Sequence, residues 1–150
     1  ANSISELTKK AGTMLPKEPE EIKHILTNGV SAVIWDGEKP VAFAAVAYEW
    51  PNNWKELGGL VVHPDYRNKG IGHKITEMLI EEAKGVYPDA KLFALCNKDS
   101  LKIMLDFGAE IITDPSMLPE EVFKECVKCP NYQKAKSEGE ICCDTQVLIK

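Results

Sequence analysis

The chain has 150 residues, 44% of them hydrophobic and 27% charged, the size and balance of a single globular domain that buries its own core without a disulfide or metal framework. Eighteen Lys and Arg against 23 Asp and Glu leave a formal charge of −5 with no basic block, which argues against nucleic acid or an anionic membrane as a partner. No apolar run approaches the roughly 20 residues that span a bilayer, and Ala1 to Glu6 have no signal-peptide character, so a soluble cytoplasmic protein is expected.

In chain order, residues 3 to 29 read as two helices. Ile4, Leu7 and Ala11 share one face, Leu15-Pro16 breaks the pattern, and Pro19-Glu20-Glu21-Ile22 opens a second helix that stops at Asn28-Gly29. Val30 to Trp35 and Val41 to Tyr48 are β-rich runs around an Asp36-Gly37 turn, a hairpin pattern. After the loop Trp50 to Trp54, a third strand is expected from Glu56 to Val62, ended by His63-Pro64-Asp65. From Gly70, Ile71, Ile75, Met78, Leu79 and Ala83 recur at helical spacing as far as Gly85. Lys91 to Cys96 reads as a buried strand, Asp99 to Asp106 as a short helix turning Leu101, Met104 and Leu105 inward, and Phe107 to Ile112 leads into another strand. Residues 113 to 141 are polar and irregular, with a helix expected at Pro119 to Val127, and Cys143 to Ile149 forms a last strand. No repeat or interdomain linker interrupts this order, so residues 1–150 are expected to form one domain with a cysteine-containing C-terminal segment, 113–150.

The informative stretch is Leu60 to Lys74, a strand that passes through a glycine-containing loop into an amphipathic helix. The first turn of a helix leaves about four backbone N–H groups unpaired at the positive end of the dipole, a setting for a pyrophosphate. Gly70 and Gly72 allow close backbone approach or positive φ, and Arg67 and Lys69 add charge. Other phosphate motifs fail on spacing. A dinucleotide fingerprint needs glycine where Ile75 stands, and a P-loop needs Ser or Thr after Gly-Lys, whereas Gly72 is followed by His73. Taken alone, two glycines could equally shape a turn into the helix.

Arg67-Asn68-Lys69-Gly70-Ile71-Gly72 matches R/Q-x-x-G-x-G/A and, with Val62-His63-Pro64 before it, resembles the acyl-CoA pyrophosphate motif of the GNAT N-acetyltransferase superfamily. A second element is similar: Cys96 to Ala109 follows the family's N-x-x-A-x-x-(aliphatic)-Y-x-x-x-G-F, with Asn97, Ser100, Ile103 and Gly108 in register. The resemblance covers about residues 30 to 112 and implies an α/β (α+β) fold, a mixed, mostly antiparallel sheet flanked by helices, with CoA wedged where the third strand and the Lys91–Cys96 strand diverge. The implied CoA-binding residues are Val61, Val62, Arg67, Asn68, Lys69, Gly70, Ile71, Gly72, His73, Asn97, Ser100 and Met104, with Val61 and Val62 pairing with the pantetheine arm as an added strand would.

The implied reaction is direct acetyl transfer from acetyl-CoA to a primary amine of a small molecule or peptide in a ternary complex. An amine with a pKa near ~10 is mostly protonated at neutral pH, so a carboxylate base helps. Glu56 is the candidate, eleven residues before Arg67, where histone-type members carry their basic glutamate; the bland reading is a solvated strand end beside Lys55. His63 reads as a loop residue. The family's general acid, a tyrosine, would fall at position 104, where this chain has Met104; the thiolate then leaves to solvent, or another group such as Tyr48 or Cys96 serves, or CoA binds without efficient catalysis. The acceptor site should lie between the Trp50–Trp54 loop, the strand bearing Ala45 and Tyr48, and the N-terminal helices.

Five cysteines are an odd number, and four, Cys126, Cys129, Cys142 and Cys143, crowd the last 25 residues. Cys126-Val127-Lys128-Cys129 is a C-x-x-C knuckle, so a structural zinc, a redox-active disulfide and free thiols are all open, although adjacent Cys142 and Cys143 in a strand point to opposite faces. These cysteines and Met104 motivate an alternative function, an acyl-CoA-binding sensor with a metal- or redox-responsive tail. Expected partners are acetyl-CoA and an amine acceptor, with no nucleic acid and no membrane; homodimerisation is left open.

Overall fold

A computed structural model describes residues 2–11, 17–96, 98–113 and 145–149. Helix α1 (Asn2–Ala11) and helix α2 (Pro19–Asn28) come first. Pro19 opens α2, where its missing N–H is no loss, Glu20 and Glu21 favour the positive end of the dipole, and the Gly29 N–H closes the last turn on the Ile25 carbonyl at 2.9 Å. Ile4, Leu7, Ile22 and Ile25 pack with Val33, Phe43, Ala45 and Val61, so the pair covers one face of the sheet.

Strands β1 (Ser31–Asp36), β2 (Lys39–Trp50) and β3 (Trp54–Val62) form the expected antiparallel meander. The segment between Trp50 and Trp54 is tighter than the loop the sequence suggests. Pro51–Asn53 make a single 3₁₀ turn, with Asn52 and Asn53 at φ 63° and 61°, and Trp50 pairs with Trp54. Asparagine tolerates that left-handed backbone. The ladder therefore runs through polar Glu49 and Lys55, beyond the apolar runs that mark the strands in the sequence, and Glu56 is the third residue of β3 rather than its first.

Helix α3 (Ile71–Val86), strand β4 (Lys91–Cys96), helix α4 (Lys98–Asp106) and strands β5 (Glu110–Ile112) and β6 (Thr145–Ile149) follow. The described strands form one six-stranded sheet in the order β1-β2-β3-β4-β6-β5, antiparallel except for β3 beside β4. Ile75, Leu79, Ile80 and Ala83 of α3 and Met104 of α4 fill the core on the face opposite α1 and α2, against Ala42, Ala44, Leu57, Leu92, Ala94 and Val147. Two inward assignments are corrected: Met78 and Leu105 are exposed large hydrophobics. Each helical residue turns the chain by 100°; Ile80 takes the inward position on α3, and Met104 of α4 is buried as expected. The expected helix at 119–127, and Cys143 of the expected last strand, lie outside the described residues, among which no helix is long and apolar enough to cross a membrane.

The feature that creates a site is the parting of β3 from β4. Their parallel pairing consists of Trp54 with Lys91, Lys55 with Leu92 and Glu56 with Phe93. Beyond Glu56 the register ends, while β3 stays paired with β2 as far as Val62 across two bulges, at Phe43/Ala45 and Val46/Tyr48. Bulges add local twist and bend. A cleft between the carboxyl ends of two parallel strands follows, with α3 starting at its outer end.

Candidate active site

At the outer end, β3 leads through a 3₁₀ turn (Pro64–Tyr66) into a loop with two positive-φ residues, Asn68 at 63° and Gly70 at 77°. Gly70 is the N-cap of α3, and the Lys74 N–H bonds its carbonyl at 3.1 Å to close the first turn. A glycine has no side chain to cap the amides that follow it, so the first-turn N–H groups are left for an anion. The two glycines have different reasons. A Cβ on Gly70 would meet nothing within 4 Å, so its requirement is the left-handed backbone; a Cβ on Gly72 would lie 3.0 Å from Ile103 Cδ1, so Gly72 lets α4 approach α3. This cradle fits a pyrophosphate: open amides, positive dipole and a Cβ-free turn.

The flanking residues divide between binding geometry and architecture. The His63 N–H bonds the Val41 carbonyl of β2 at 2.7 Å, so by strand alternation the polar groups of Val62 face the open β4 side, where Arg67 Nε donates to the Val62 carbonyl at 3.3 Å. The Val61 side chain is buried against α1 and α2. Lys69 lies over the Tyr66 ring at 5.5 Å. His73, in the first turn of α3, sits 2.8 Å from Asp106 of α4 and ties the two helices at the surface. Ser100 hydrogen-bonds Cys96, whose thiol is buried and pushed up to about 11, the state of an inert packing residue rather than a nucleophile. Met104 is buried in the same core cluster as Cys96, which accounts for an apolar residue there. Asn97 lies outside the described residues.

His63 lies in the loop after β3, as expected, but it is buried. Its ring is 3% exposed, Nδ1 accepts from the Asp65 N–H at 3.1 Å, and Nε2 has no hydrogen-bond partner among the described residues. Burial and the cations Lys39 and Lys10 lower its pKa, so it is held neutral with the proton on Nε2.

At the inner end stands Glu56, on the last residue pair before the strands part. It is 8% exposed, not a solvated strand end. Along β3, Leu57 faces the α3 core, whereas Gly58 pairs with Ala45 of the opposite cluster, so Glu56 shares the α1/α2 face. Burial pushes its pKa from 4.5 to about 7, against the hydrogen bond donated by Trp50 Nε1 to Oε1 at 3.2 Å and the charge of Lys17, which both lower it. Such a carboxyl changes protonation at neutral pH, as a general base must. Tyr48 is its partner in the β2–β3 register.

Sequence reasoning missed Lys17, which is 2% exposed between α1 and α2, and Asp106, the partner of His73. Residue type gives no sign of this burial, since lysine is almost always exposed. Cys126, Cys129, Cys142 and Cys143 lie outside the described residues, among which no cluster of His, Cys, Asp or Glu is poised for a metal.

Known proteins share this fold. The chain resembles the structure of Rv2747 from Mycobacterium tuberculosis in complex with CoA and NLQ, at 20% identity over 99% of this chain and 92% of that one, TM-score 0.64. It also resembles yncA from Salmonella typhimurium with its cofactor acetyl-CoA, at 17% identity over 75% of each chain, TM-score 0.61. N-acetylglutamate synthase from Neisseria gonorrhoeae, complexed with coenzyme A and N-acetyl-glutamate, matches at 16% identity over 99% of this chain, TM-score 0.67, although the match spans only 32% of that longer protein. At these identities the likeness establishes the fold. A model of the acetyltransferase (GNAT) family matches residues 3–108, more than two thirds of the sequence and the span that contains both the cradle and Glu56: the chain belongs to the GNAT acetyltransferase family.

Proposed function

We propose that this protein is an acetyl-CoA-dependent N-acetyltransferase that acetylates a primary amine of a small molecule or peptide by direct attack in a ternary complex, as one domain in the cytoplasm. The carrying observation is Glu56, a buried carboxyl with a near-neutral pKa at the point where β3 and β4 part. Acetyl-CoA would supply the activated acetyl thioester. The chain's own contribution begins at the cradle, where the first-turn amides of α3 take the pyrophosphate and the turn at Gly70 presents them. The free edge of β3 around Val62 guides the pantetheine arm inward, toward Glu56.

An ammonium entering from the α1/α2 side meets the ionised Glu56, which accepts its proton directly or through a water and leaves nitrogen with a free lone pair. Alignment of that nitrogen with the thioester carbonyl supplies much of the rate. Met104 is no acid, so the departing sulfur carries its charge toward solvent or toward a group such as the hydroxyl of Tyr48. The Neisseria structure, with CoA and N-acetyl-glutamate bound, lends support to an acceptor of amino-acid size. The competing sensor reading draws on no described residue, since Met104 has a packing role and the tail cysteines lie outside the described part.

Calorimetric titration with acetyl-CoA tests the proposal together with two variants. Wild type and Glu56→Gln are expected to bind alike, with turnover of the variant down about 10²–10⁴-fold. Gly70→Asp, which asparagine-like backbone tolerance allows to fold, places a carboxylate in the cradle and is expected to abolish binding. Undiminished binding by Gly70→Asp refutes the cradle, and normal turnover by Glu56→Gln removes the base.

A further inference from the structure

The burial of His63 is not explained by packing. Its Nε2 has no hydrogen-bond partner among the described residues, and an unsatisfied buried donor is unfavourable, so an apolar side chain of similar size would fill the space better. What the imidazole has and a leucine lacks is Nδ1, which accepts the Asp65 N–H at 3.1 Å and so caps the turn Pro64–Tyr66. The backbone of the same residue is held on both sides. Its N–H donates to the Val41 carbonyl of β2 at 2.7 Å, and its carbonyl accepts the Tyr66 N–H at 2.9 Å. The Tyr66 ring stands edge-on to the imidazole, with centroids 5.6 Å apart and planes at 90°. From Tyr66 the contacts reach the cradle. Its hydroxyl donates to Asp36 at the end of β1, and its ring meets Lys39 and Lys69, each ammonium 5.5 Å from the centroid. Lys69 immediately precedes Gly70, and Arg67, next after Tyr66, donates from Nε to the Val62 carbonyl at 3.3 Å. One capped turn therefore sets the direction in which the chain leaves β3 and enters the first turn of α3.

We propose that His63 is a positioning residue for acetyl-CoA binding: as a neutral imidazole it holds the turn that leads into the cradle, and the grip on acetyl-CoA weakens when the ring is protonated. This role rests on the reading of the Gly70 turn as the acetyl-CoA cradle, and His63 acts through Asp65 and Tyr66 without touching the ligand. Nδ1 accepts the Asp65 N–H only while it has no hydrogen of its own. Protonation sets two N–H groups head to head across 3.1 Å, so the cap opens. The imidazolium then has another partner, the Asp65 carboxylate, whose Oδ2 lies 3.8 Å from Nδ1. That exchange pulls Asp65 out of the turn and displaces Tyr66 and the residues after it. The charged groups facing the ring come from three parts of the fold. Burial opposes its protonation most, Lys39 of β2, Lys10 at the end of α1 and Arg67 of the loop add to it, and Asp65 favours it. The capping state is therefore the one present at neutral pH, and the step in affinity lies on the acid side of 6.5, the ordinary histidine value.

The test is acetyl-CoA affinity, measured by calorimetry from pH 8 down to about 4.5 in wild type, His63→Leu and His63→Asn. Asparagine keeps a side-chain acceptor for the N–H two residues on and does not titrate. The affinity of wild type relative to His63→Asn is expected to fall about fivefold as pH drops through the His63 midpoint, the loss of one cap. Glu56 and the ligand phosphates titrate in both proteins and cancel in that ratio. His63→Leu is expected to bind about fivefold more weakly than wild type at pH 8 and to show no such step, with His63→Asn recovering most of the loss. A ring that only fills space gives parallel pH profiles in wild type and His63→Asn, and that result overturns the proposal. Should the variants not fold, NMR on wild type decides: the Asp65 amide shift is expected to titrate with the same midpoint as the His63 ring, and an unresponsive amide overturns the proposal. If wild type binds acetyl-CoA at no pH, the cradle reading fails and the role of His63 with it. Binding with parallel profiles removes the role of His63 alone.

Discussion

Burying Glu56 has a cost that appears as pH-dependent stability, and it is measurable without knowing any substrate. Its pKa rises from the ordinary 4.5 to about 7 in the folded protein, with burial as the largest cause. Below pH 4.5 the side chain is protonated in both folded and unfolded chains and the fold has its full stability with respect to this group. Between 4.5 and 7 the unfolded chain ionises while the folded one keeps its proton, so stability falls at up to about 1.4 kcal/mol per pH unit. Above 7 both states are ionised and the loss is complete. The gap between 4.5 and about 7 corresponds to about 3 kcal/mol. Glu56→Gln keeps an oxygen for the Trp50 N–H and has no proton to lose. Urea unfolding followed by tryptophan fluorescence from pH 4 to 8.5 in both proteins isolates the effect, because every other titrating group cancels in the difference. The stability of wild type minus that of the variant should drop by about 3 kcal/mol across pH 4.5–7 and stay flat above. A difference independent of pH, or a drop completed below pH 5, would show Glu56 titrating as a solvated carboxylate and would refute the burial argument.

Other consequences can be checked separately. Trp50→Phe removes the indole donor that favours the ionised Glu56, so the acid limb of kcat/KM should move alkaline by less than about one pH unit; an acid shift would contradict the assigned hydrogen bond. Gly70→Ala meets no steric obstacle yet must adopt φ 77°, and should cost about 1–2 kcal/mol in urea unfolding; a neutral result would mean that the loop relaxes to another conformation. Met104→Ala should destabilise by about 2–5 kcal/mol if the side chain is core, and a loss of less than about 0.5 kcal/mol would place it at the surface of the cleft instead.

The parts of this fold that were legible in the sequence are those dictated locally. The Gly70 turn, the amphipathic α3 and the meander each follow from a few adjacent residues, and the two motif segments fall on the elements expected for them. Strand ends were less legible, because the β2–β3 ladder continues through Glu49 and Lys55 on backbone hydrogen bonds that apolar patterning does not register. Met78 and Leu105 fit the helical period but not the sheet each helix packs on. The site divides in the same way. Gly70 announces itself by residue type, whereas the burial of Glu56 and Lys17 depends on α1 and α2 closing over strands that lie tens of residues away, and no local pattern encodes that. By its spacing Gly72 reads as a phosphate-approach residue, yet its nearest constraint is Ile103, 31 positions further along the chain.

The most direct test of the central claim is release of free CoA from acetyl-CoA across a panel of amines at pH 8, with mass-spectrometric detection of the product, in wild type and Glu56→Gln. At least one amine is expected to yield its N-acetyl derivative and CoA in equal amounts, with the rate reduced at least about 100-fold in the variant. Failure of acetyl-CoA to bind, or binding with no amine acetylated across the panel, would contradict it.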